Sequence, residues 1–123
     1  MITARARAMT GPTTPFSTIT IERRDVGPID VLLDIAYAGV CHTDIHHARA
    51  EFGHTHYPIV PGHEIAGVVR GVGAEVTGLA VGDHAGIGCL VDSCRECARC
   101  LARQESYCRR KVLPTTGSGA TAR

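Results

Sequence analysis

The sequence of 123 residues has no tryptophan and only 4% aromatic residues, although 44% of its residues are hydrophobic. A core built from this composition consists mainly of valine, isoleucine, leucine and alanine. A chain of this length forms one domain and buries roughly two-thirds of its unfolded surface. A core with so few large side chains gives limited stability, so we expect a bound metal ion to stabilise the fold.

Long hydrophobic runs and a strong charge of one sign are also absent. No apolar stretch approaches the roughly 20 residues that span a bilayer, and residues 1–11 contain no hydrophobic signal segment. The net charge is +1, and the basic residues are scattered along the chain. We therefore expect a cytoplasmic protein that has no nucleic-acid or membrane partner.

The order of apolar and turn-forming residues predicts a mainly β domain over residues 16–110. Residues 1–15 lack sustained periodicity, so we expect a flexible lead-in there. A short helix is predicted over 43–50, with Thr43 as its cap. Short runs with strand-like patterns, bounded by glycine or proline, predict strands over 16–21, 31–38, 65–72 and 83–91. Strands at this spacing with one small helix indicate a barrel-like fold.

Four cysteines lie at metal-ligand spacing in a lobe that covers residues 92–108. The pattern Cys-x2-Cys-x2-Cys-x7-Cys consists of Cys94, Cys97, Cys100 and Cys108. Four thiolates around one tetrahedral ion leave no position for water, as in structural zinc sites. Two disulfides or four unrelated buried cysteines are the alternatives, but the lack of an export signal favours zinc-bound thiolates. Cys89 is interpreted as a core thiol.

A second set of candidate metal ligands comes from distant positions. His63 and Glu64 stand in a glycine-bounded motif before a β-branched run, and Cys41 follows an upstream predicted strand. Mixed sulfur, nitrogen and oxygen ligands fit an open catalytic zinc site better than a closed one. Zinc in such a site can bind an alcohol oxygen and lower its pKa. Alternatively, Cys41 is a small core residue and His63 is a hydrogen-bonded structural histidine.

Three polar residues near the first of these ligands are candidates for supporting roles. Asp44 is expected to orient the imidazole of His63. Thr43 and His46 are expected to pass the alcohol proton outward. Helix capping alone is the alternative explanation for Thr43 and Asp44.

Together these motifs resemble the N-terminal catalytic domain of zinc-dependent alcohol dehydrogenases of the medium-chain superfamily, nearest to their cinnamyl alcohol dehydrogenase-like branch. The resemblance covers residues from about 18 to 108. It rests on the four-cysteine lobe and on the motifs Gly39-Val40-Cys41-His42-Thr43-Asp44 and Gly62-His63-Glu64-x2-Gly67-x5-Gly73-x2-Val76. It implies a GroES-like fold, oxidation of primary alcohols or reduction of aldehydes with NADP or NAD, and a dimer with itself or an intact relative.

The resemblance also implies a role for each motif residue. Glu64 corresponds to a carboxylate close to the zinc, which ligates when substrate is absent. His42 corresponds to a position near the cofactor pyrophosphate. Cys41 and His63 correspond to zinc ligands, and Asp44 corresponds to the partner of the zinc-binding histidine. Thr43 and His46 correspond to a two-residue proton relay.

Two departures from the family pattern affect the expected activity. No Gly-x-Gly-x-x-Gly motif of a dinucleotide-binding domain occurs, so we expect the chain to be inactive alone. Residues 111–123 are rich in threonine, glycine, serine and alanine, which predicts a disordered tail outside the family pattern. A frameshift near Arg110 is our hypothesis for this tail, and the nucleotide sequence of the gene tests it.

Two other classes of function compete with an alcohol dehydrogenase. A non-catalytic zinc-binding module or interaction fragment is the main alternative, and activity with an alcohol and NADP separates it from an enzyme. A thiol redox protein using Cys94 and Cys97 is disfavoured, because the sequence lacks the βαβ setting of a thioredoxin-like motif.

Overall fold

The structure is a computed structural model that describes residues 1–110 and 112–114, and its regular elements are mainly β-strands. The strands are β1 (Ile2–Ala8), β2 (Ser17–Arg23), β3 (Val31–Gly39), β4 (Glu64–Val72), β5 (His84–Ile87), β6 (Leu90–Ser93) and β7 (Val112–Pro114). The helices are α1 (His42–Ala48) and α2 (Ala98–Leu101), and a 3-10 turn covers Glu105–Tyr107. The predicted fold class, mainly β with a short helix, is confirmed.

The strands form three antiparallel sheets, with the orders β1-β2, β3-β4-β5 and β6-β7. In the central sheet, β3 and β4 pair from Val31 opposite Val72 to Gly39 opposite Glu64. Because the end of β3 meets the start of β4, the residues that follow Gly39 and precede Glu64 lie close together. This edge of the sheet positions the first candidate site.

The N-terminal segment differs from the predicted flexible lead-in. Ile2–Ala8 form β1 and pair with β2 over their whole length, from Ile2 opposite Arg23 to Ala8 opposite Ser17. The end of β1 is also anchored, because Met9 and Ile59 exchange backbone hydrogen bonds of 3.0 and 2.9 Å. Apolar and polar residues alternate along β1, but its repeated apolar residue is alanine, which has weak strand propensity, so the segment was not predicted as a strand.

The helix and the third sheet also differ in detail from the sequence predictions. Cys41, not Thr43, caps α1, and the helix ends at Ala48. Residues 83–91 contain parts of two strands in separate sheets. Residues 112–114 of the predicted disordered tail pair with β6, while the rest of that tail lies outside the described residues. Within the described part of the chain, neither helix is long and apolar enough to cross a membrane.

The main hydrophobic cluster is small and joins three distant parts of the chain. Met9, Ala48 and Ile59 are buried together, and Tyr57 packs against them. The Tyr57 hydroxyl donates a hydrogen bond of 2.7 Å to the carbonyl of Ala48. This cluster fixes α1 against the loop that leads into β4.

A charged turn before β3 contacts the far end of β4. Asp30 accepts hydrogen bonds from the guanidinium of Arg24 and, at 2.7 Å, from the backbone N–H of Gly27. The carbonyl of Asp30 accepts a hydrogen bond of 2.8 Å from Gly73. A Cβ atom at Gly73 would lie 2.1 Å from the carbonyl oxygen of Gly27, so this close approach requires glycine.

Asp30→Asn is expected to lower the free energy of unfolding by about 1 kcal/mol at neutral pH. The pKa of Asp30 is lowered, mainly by the hydrogen bond from Arg24, with help from Gly27 and against desolvation. The ionised carboxyl therefore stabilises the fold fully above its unfolded pKa of about 3.9, and this contribution is lost as the pH falls through the lower folded-state pKa. Urea titrations of both proteins across this range measure the difference.

The matched control is Asp25→Asn, because the Asp25 side chain is 78% exposed and pairs only with the N-terminal amine in the described contacts. Its effect should be close to zero at every pH. A difference between wild type and Asp30→Asn that does not shrink on acidification would contradict the assigned role of the carboxylate.

Candidate metal centres

The first candidate centre forms where β3 ends and β4 begins. Cys41 follows β3 and caps α1, while His63 immediately precedes β4. Ligand atoms of Cys41, Asp44 and His63 all lie within 4.8 Å of one another. The structure thus brings the thiol and the imidazole together, as their predicted roles require.

Asp44 holds this centre together from a buried position. Only 1% of the residue is exposed. Its Oδ2 atom accepts a hydrogen bond of 3.0 Å from the backbone N–H of Cys41. Its Oδ1 atom accepts hydrogen bonds from the N–H of Gly62 at 2.8 Å and from Nδ1 of His63 at 3.0 Å. Because Nδ1 of His63 donates to Asp44, Nε2 remains available for a metal ion.

Gly62 belongs to this centre, although the sequence analysis gave it no role of its own. Its φ angle is +106°, a conformation that only glycine adopts readily. This conformation allows its N–H to point at the Asp44 carboxylate. The signal in the sequence is the Pro61-Gly62 pair directly before His63, which is typical of a tight turn.

The pKa values of His63 and Cys41 are shifted in opposite directions in the first centre. Burial has the largest influence on the pKa of His63 and lowers it, but Asp44 and Cys41 outweigh burial, so the pKa is raised. The pKa of the Cys41 thiol is lowered, chiefly by hydrogen bonds from the side chain and backbone of Thr43. The lowered thiol pKa favours the deprotonated form that a metal ligand needs.

The other predicted residues of this site lie outside the cluster of ligand atoms. Glu64 lies opposite Gly39 across the β3–β4 pair, and its carboxylate is beside that glycine. Nδ1 of His46 pairs with the carboxylate of Glu51. The ring of His42 contacts the ring of His46, with 4.7 Å between the centroids.

The backbone N–H of Thr43 donates a hydrogen bond of 3.3 Å to the Cys41 sulfur. His46 is turned toward Glu51, so the described contacts do not align Thr43 and His46 as a relay. The ligand role of Glu64, the proton relay and the cofactor contact of His42 therefore stay predictions.

A groove of about 530 Å³ opens beside the first centre. It is lined by His63, by the start of β4, by the end of β5 and by the segment after β5, at Glu64, Ile65, Gly86, Ile87, Gly88 and Cys89. Cys89 is exposed, so its interpretation as a core thiol is wrong. The strand expected to bury Cys89 is interrupted between β5 and β6, which leaves the thiol in a connecting segment.

The second candidate centre is the lobe of Cys94, Cys97, Cys100 and Cys108, whose sulfur atoms all lie within 4.8 Å of one another. The sulfur–sulfur distances are 3.6 Å for Cys97–Cys100, 3.8 Å for Cys94–Cys100 and 4.0 Å for Cys97–Cys108. Thiolates about 2.3 Å from a tetrahedral zinc ion lie about 3.8 Å apart. The lobe therefore has the dimensions of a closed four-thiolate zinc site, and none of these cysteines forms a disulfide.

The thiols of this lobe differ in acidity. Hydrogen bonds from the backbone of Arg109 and then of Cys100 are the main causes that lower the pKa of Cys97 to about 6. For Cys100, a hydrogen bond with Ser93 acts in the lowering direction, but desolvation and the neighbouring Cys97 and Cys108 raise the pKa to about 11. Four thiolates in so small a space need a cation to offset their repulsion, which fits a bound zinc ion.

Comparison with known proteins identifies the family of this chain. The family model of the alcohol dehydrogenase GroES-like domain matches residues 27–123, which is most of the chain. The chain belongs to the alcohol dehydrogenase GroES-like domain family. The family predicted from the motifs is therefore confirmed. The match includes residues 111–123, so it does not support a tail outside the family pattern, and the frameshift stays a hypothesis.

Individual relatives of this GroES-like domain agree with the family assignment. The chain is 58% identical over 108 residues to NADP-dependent alcohol dehydrogenase C 1 of Mycolicibacterium smegmatis, covering 88% of the chain and 31% of the relative. A cinnamyl alcohol dehydrogenase structure from Sorghum bicolor matches with a TM-score of 0.89 and 39% identity, over 94% of the chain and 32% of that protein. CAD from Helicobacter pylori, solved with NADP(H), matches with a TM-score of 0.89 and 43% identity, over 93% and 33%. The chain spans about a third of the length of these relatives.

Asp44→Asn is expected to lower the free energy of unfolding by about 2 kcal/mol, because the amide cannot accept from all three buried donors at once. Chemical denaturation measures this loss. Asp34→Asn is the matched control, since Asp34 is exposed and makes one ion pair of 3.3 Å with Arg70. Its cost should stay below about 0.5 kcal/mol. Equal costs for the two substitutions would show that Asp44 does not organise the centre.

Cys108→Ser is expected to remove about one equivalent of zinc per chain and to lower the melting temperature, because a closed site loses one of its four ligands. Cys89→Ser is the matched control, since Cys89 lies outside both clusters of ligand atoms. Metal analysis and thermal unfolding of the zinc-loaded proteins measure both effects. A Cys108→Ser protein that keeps the zinc content of the wild type would rule out the four-cysteine site.

Proposed function

We propose that the chain is the zinc-binding catalytic part of an NADP-linked alcohol dehydrogenase that acts on primary alcohols or aldehydes. The observation that carries this proposal is the cluster of Cys41, Asp44 and His63 beside an open groove. Its support comes from the family and from relatives whose names include NADP-dependent and cinnamyl alcohol dehydrogenases. NADP is favoured over NAD because the 58% identical relative is named as NADP-dependent.

Each residue of the first centre has a defined task in this proposal. Cys41 and His63 hold a zinc ion, and Asp44 fixes the imidazole so that Nε2 faces the ion. When bound, the zinc ion supplies Lewis-acid chemistry that makes an alcohol proton easier to remove and a carbonyl easier to reduce. The second zinc ion, in the four-cysteine lobe, only stabilises the fold.

Four further residues act around this centre in the proposal. Glu64 is a carboxylate close to the catalytic zinc, and His42 lies near the cofactor pyrophosphate. Thr43 and His46 pass the substrate proton to water once His46 turns away from Glu51. His46 lies on α1 and its side chain is 36% exposed, so water can reach it.

The nicotinamide cofactor requires a domain that this sequence does not supply in recognisable form. We propose that the chain alone does not transfer hydride and that it works with a cofactor domain, from another copy of a family member or from a longer chain. Reduced thiols in both centres fit a cytoplasmic location, where disulfides are rare.

A non-catalytic zinc module is the second candidate function. It is favoured by the four-cysteine lobe, whose ligands all come from the short segment 94–108. In that case only the lobe would bind zinc, and the chain would act by pairing with intact relatives.

The proposal is tested by fusing the whole chain to the cofactor-binding part of the Mycolicibacterium smegmatis relative and following NADPH oxidation with an aldehyde. We expect turnover from the fusion, a loss of at least about 100-fold with Cys41→Ala, and none from the chain alone. Asp25→Asn serves as the control and should retain activity, because the Asp25 side chain is 78% exposed and does not line the groove.

Two outcomes would contradict the proposal. A fusion that folds, binds NADPH and shows no turnover that depends on Cys41 would favour the non-catalytic zinc module. Turnover by the chain alone would show that the need for a separate cofactor domain is wrong.

A further inference from the structure

Two histidines of α1 form a pair that is separate from the cluster of Cys41, Asp44 and His63. His42 is exposed and His46 is partly exposed. They lie four residues apart on the helix, so their side chains are neighbours one turn apart. Their ring centroids are 4.7 Å apart. Because two imidazoles that bind one zinc ion have ring centres about 5 Å apart, the pair has the spacing of two ligands that share an ion.

The carboxylate of Glu51 fixes the ring of His46. It pairs with Nδ1 of that ring, and the backbone N–H of Glu51 donates a hydrogen bond of 2.9 Å to the carbonyl of His46. Ala50 has a φ angle of +57°, and this left-handed turn after the helix brings Glu51 back to it. Because Nδ1 faces a carboxylate, Nε2 is the nitrogen that remains for a metal ion.

The ring of Phe52 is a second neighbour that restricts His46. The two ring centroids are 5.2 Å apart. A phenyl ring offers no metal ligand, but together with the carboxylate of Glu51 it limits the rotation of the imidazole. An ion that binds to an imidazole already held in this way costs little further side-chain entropy.

We infer that His42 and His46 form a further binding site, for a divalent transition-metal ion such as Zn²⁺. Imidazole nitrogen is a ligand that zinc, copper and nickel favour. Nε2 of His46 and a ring nitrogen of His42 are the protein ligands, and water molecules complete the coordination. The site binds its ion more weakly than the two cysteine-containing centres, because it has two neutral ligands and lies at the surface.

An ion at this site blocks the proposed proton relay, and this consequence rests on the proposed function. The relay requires His46 to turn away from Glu51, whereas the metal site requires the two side chains to stay paired. The ion also occupies the ring nitrogen that would accept a proton. Metal binding and proton transfer at His46 therefore exclude each other.

Zinc titration of protein with isotope-labelled histidine rings tests the site by NMR, without an activity assay. Zinc is added stepwise after the four-cysteine lobe is filled, and the ring-nitrogen shifts report binding at each histidine separately. We expect the signals of His42 and His46 to shift together along one binding curve. His84, an exposed histidine on β5, is the control and should not respond over the same range of zinc concentration.

Substitution of Glu51 separates a prepared site from two independent histidines. In Glu51→Gln, zinc should bind the pair roughly tenfold more weakly, because the carboxylate that fixes Nδ1 of His46 is lost. His42→Gln should abolish the response of His46 over the same range of zinc concentration. Glu75→Gln is the matched control for the loss of one negative charge, since Glu75 is exposed and lies outside this cluster.

Separate binding curves for the two histidines, a response of only one of them, or no response at all would overturn the site. Unchanged zinc affinity in Glu51→Gln, or an equal loss in Glu75→Gln, would also overturn it. Failure of the proposed function appears separately in the same spectra, as a His63 signal that does not respond to zinc.

Discussion

The buried carboxylate of Asp44 is the interaction on which the candidate active centre depends. A carboxylate that is 1% exposed is costly unless hydrogen bonds satisfy it, and three donors do so here. These donors come from both sides of the β3–β4 edge, at Cys41 before the helix and at Gly62 and His63 before β4. One side chain therefore ties the start of α1 to the turn that presents the histidine, and this places the thiol and the imidazole within 4.8 Å of each other.

The two candidate centres are built in different ways, and the difference matches their proposed uses. The four-cysteine lobe takes its ligands from one short segment, so a metal ion can order it locally and close it to water. The first centre draws on residues that are far apart in sequence and meet only through the pairing of β3 with β4. It lies beside an open groove of about 530 Å³.

Local patterns explain what was predictable from the sequence. Cysteine spacing predicted the lobe, and the residue types near Cys41 and His63 predicted that these two side chains would meet. The placement of Glu64 was not predictable, because it depends on the register that sets it opposite Gly39, and that register includes shifts within β3. The cap of α1 was assigned to Thr43 by propensity, whereas the thiol of Cys41 takes that position. The strand at the N-terminus was missed although apolar and polar residues alternate there, because alanine has weak strand propensity and the strand is held by its pairing with β2.

The most direct test of this account is amide hydrogen exchange at Cys41 and Gly62, whose N–H groups both donate to Asp44. The account predicts that both amides are protected in the wild-type protein and that both lose protection in Asp44→Asn, while amides in the centre of β4 stay protected. If either amide exchanges in the wild-type protein as fast as in an unfolded chain, then Asp44 does not join the two sides of the centre.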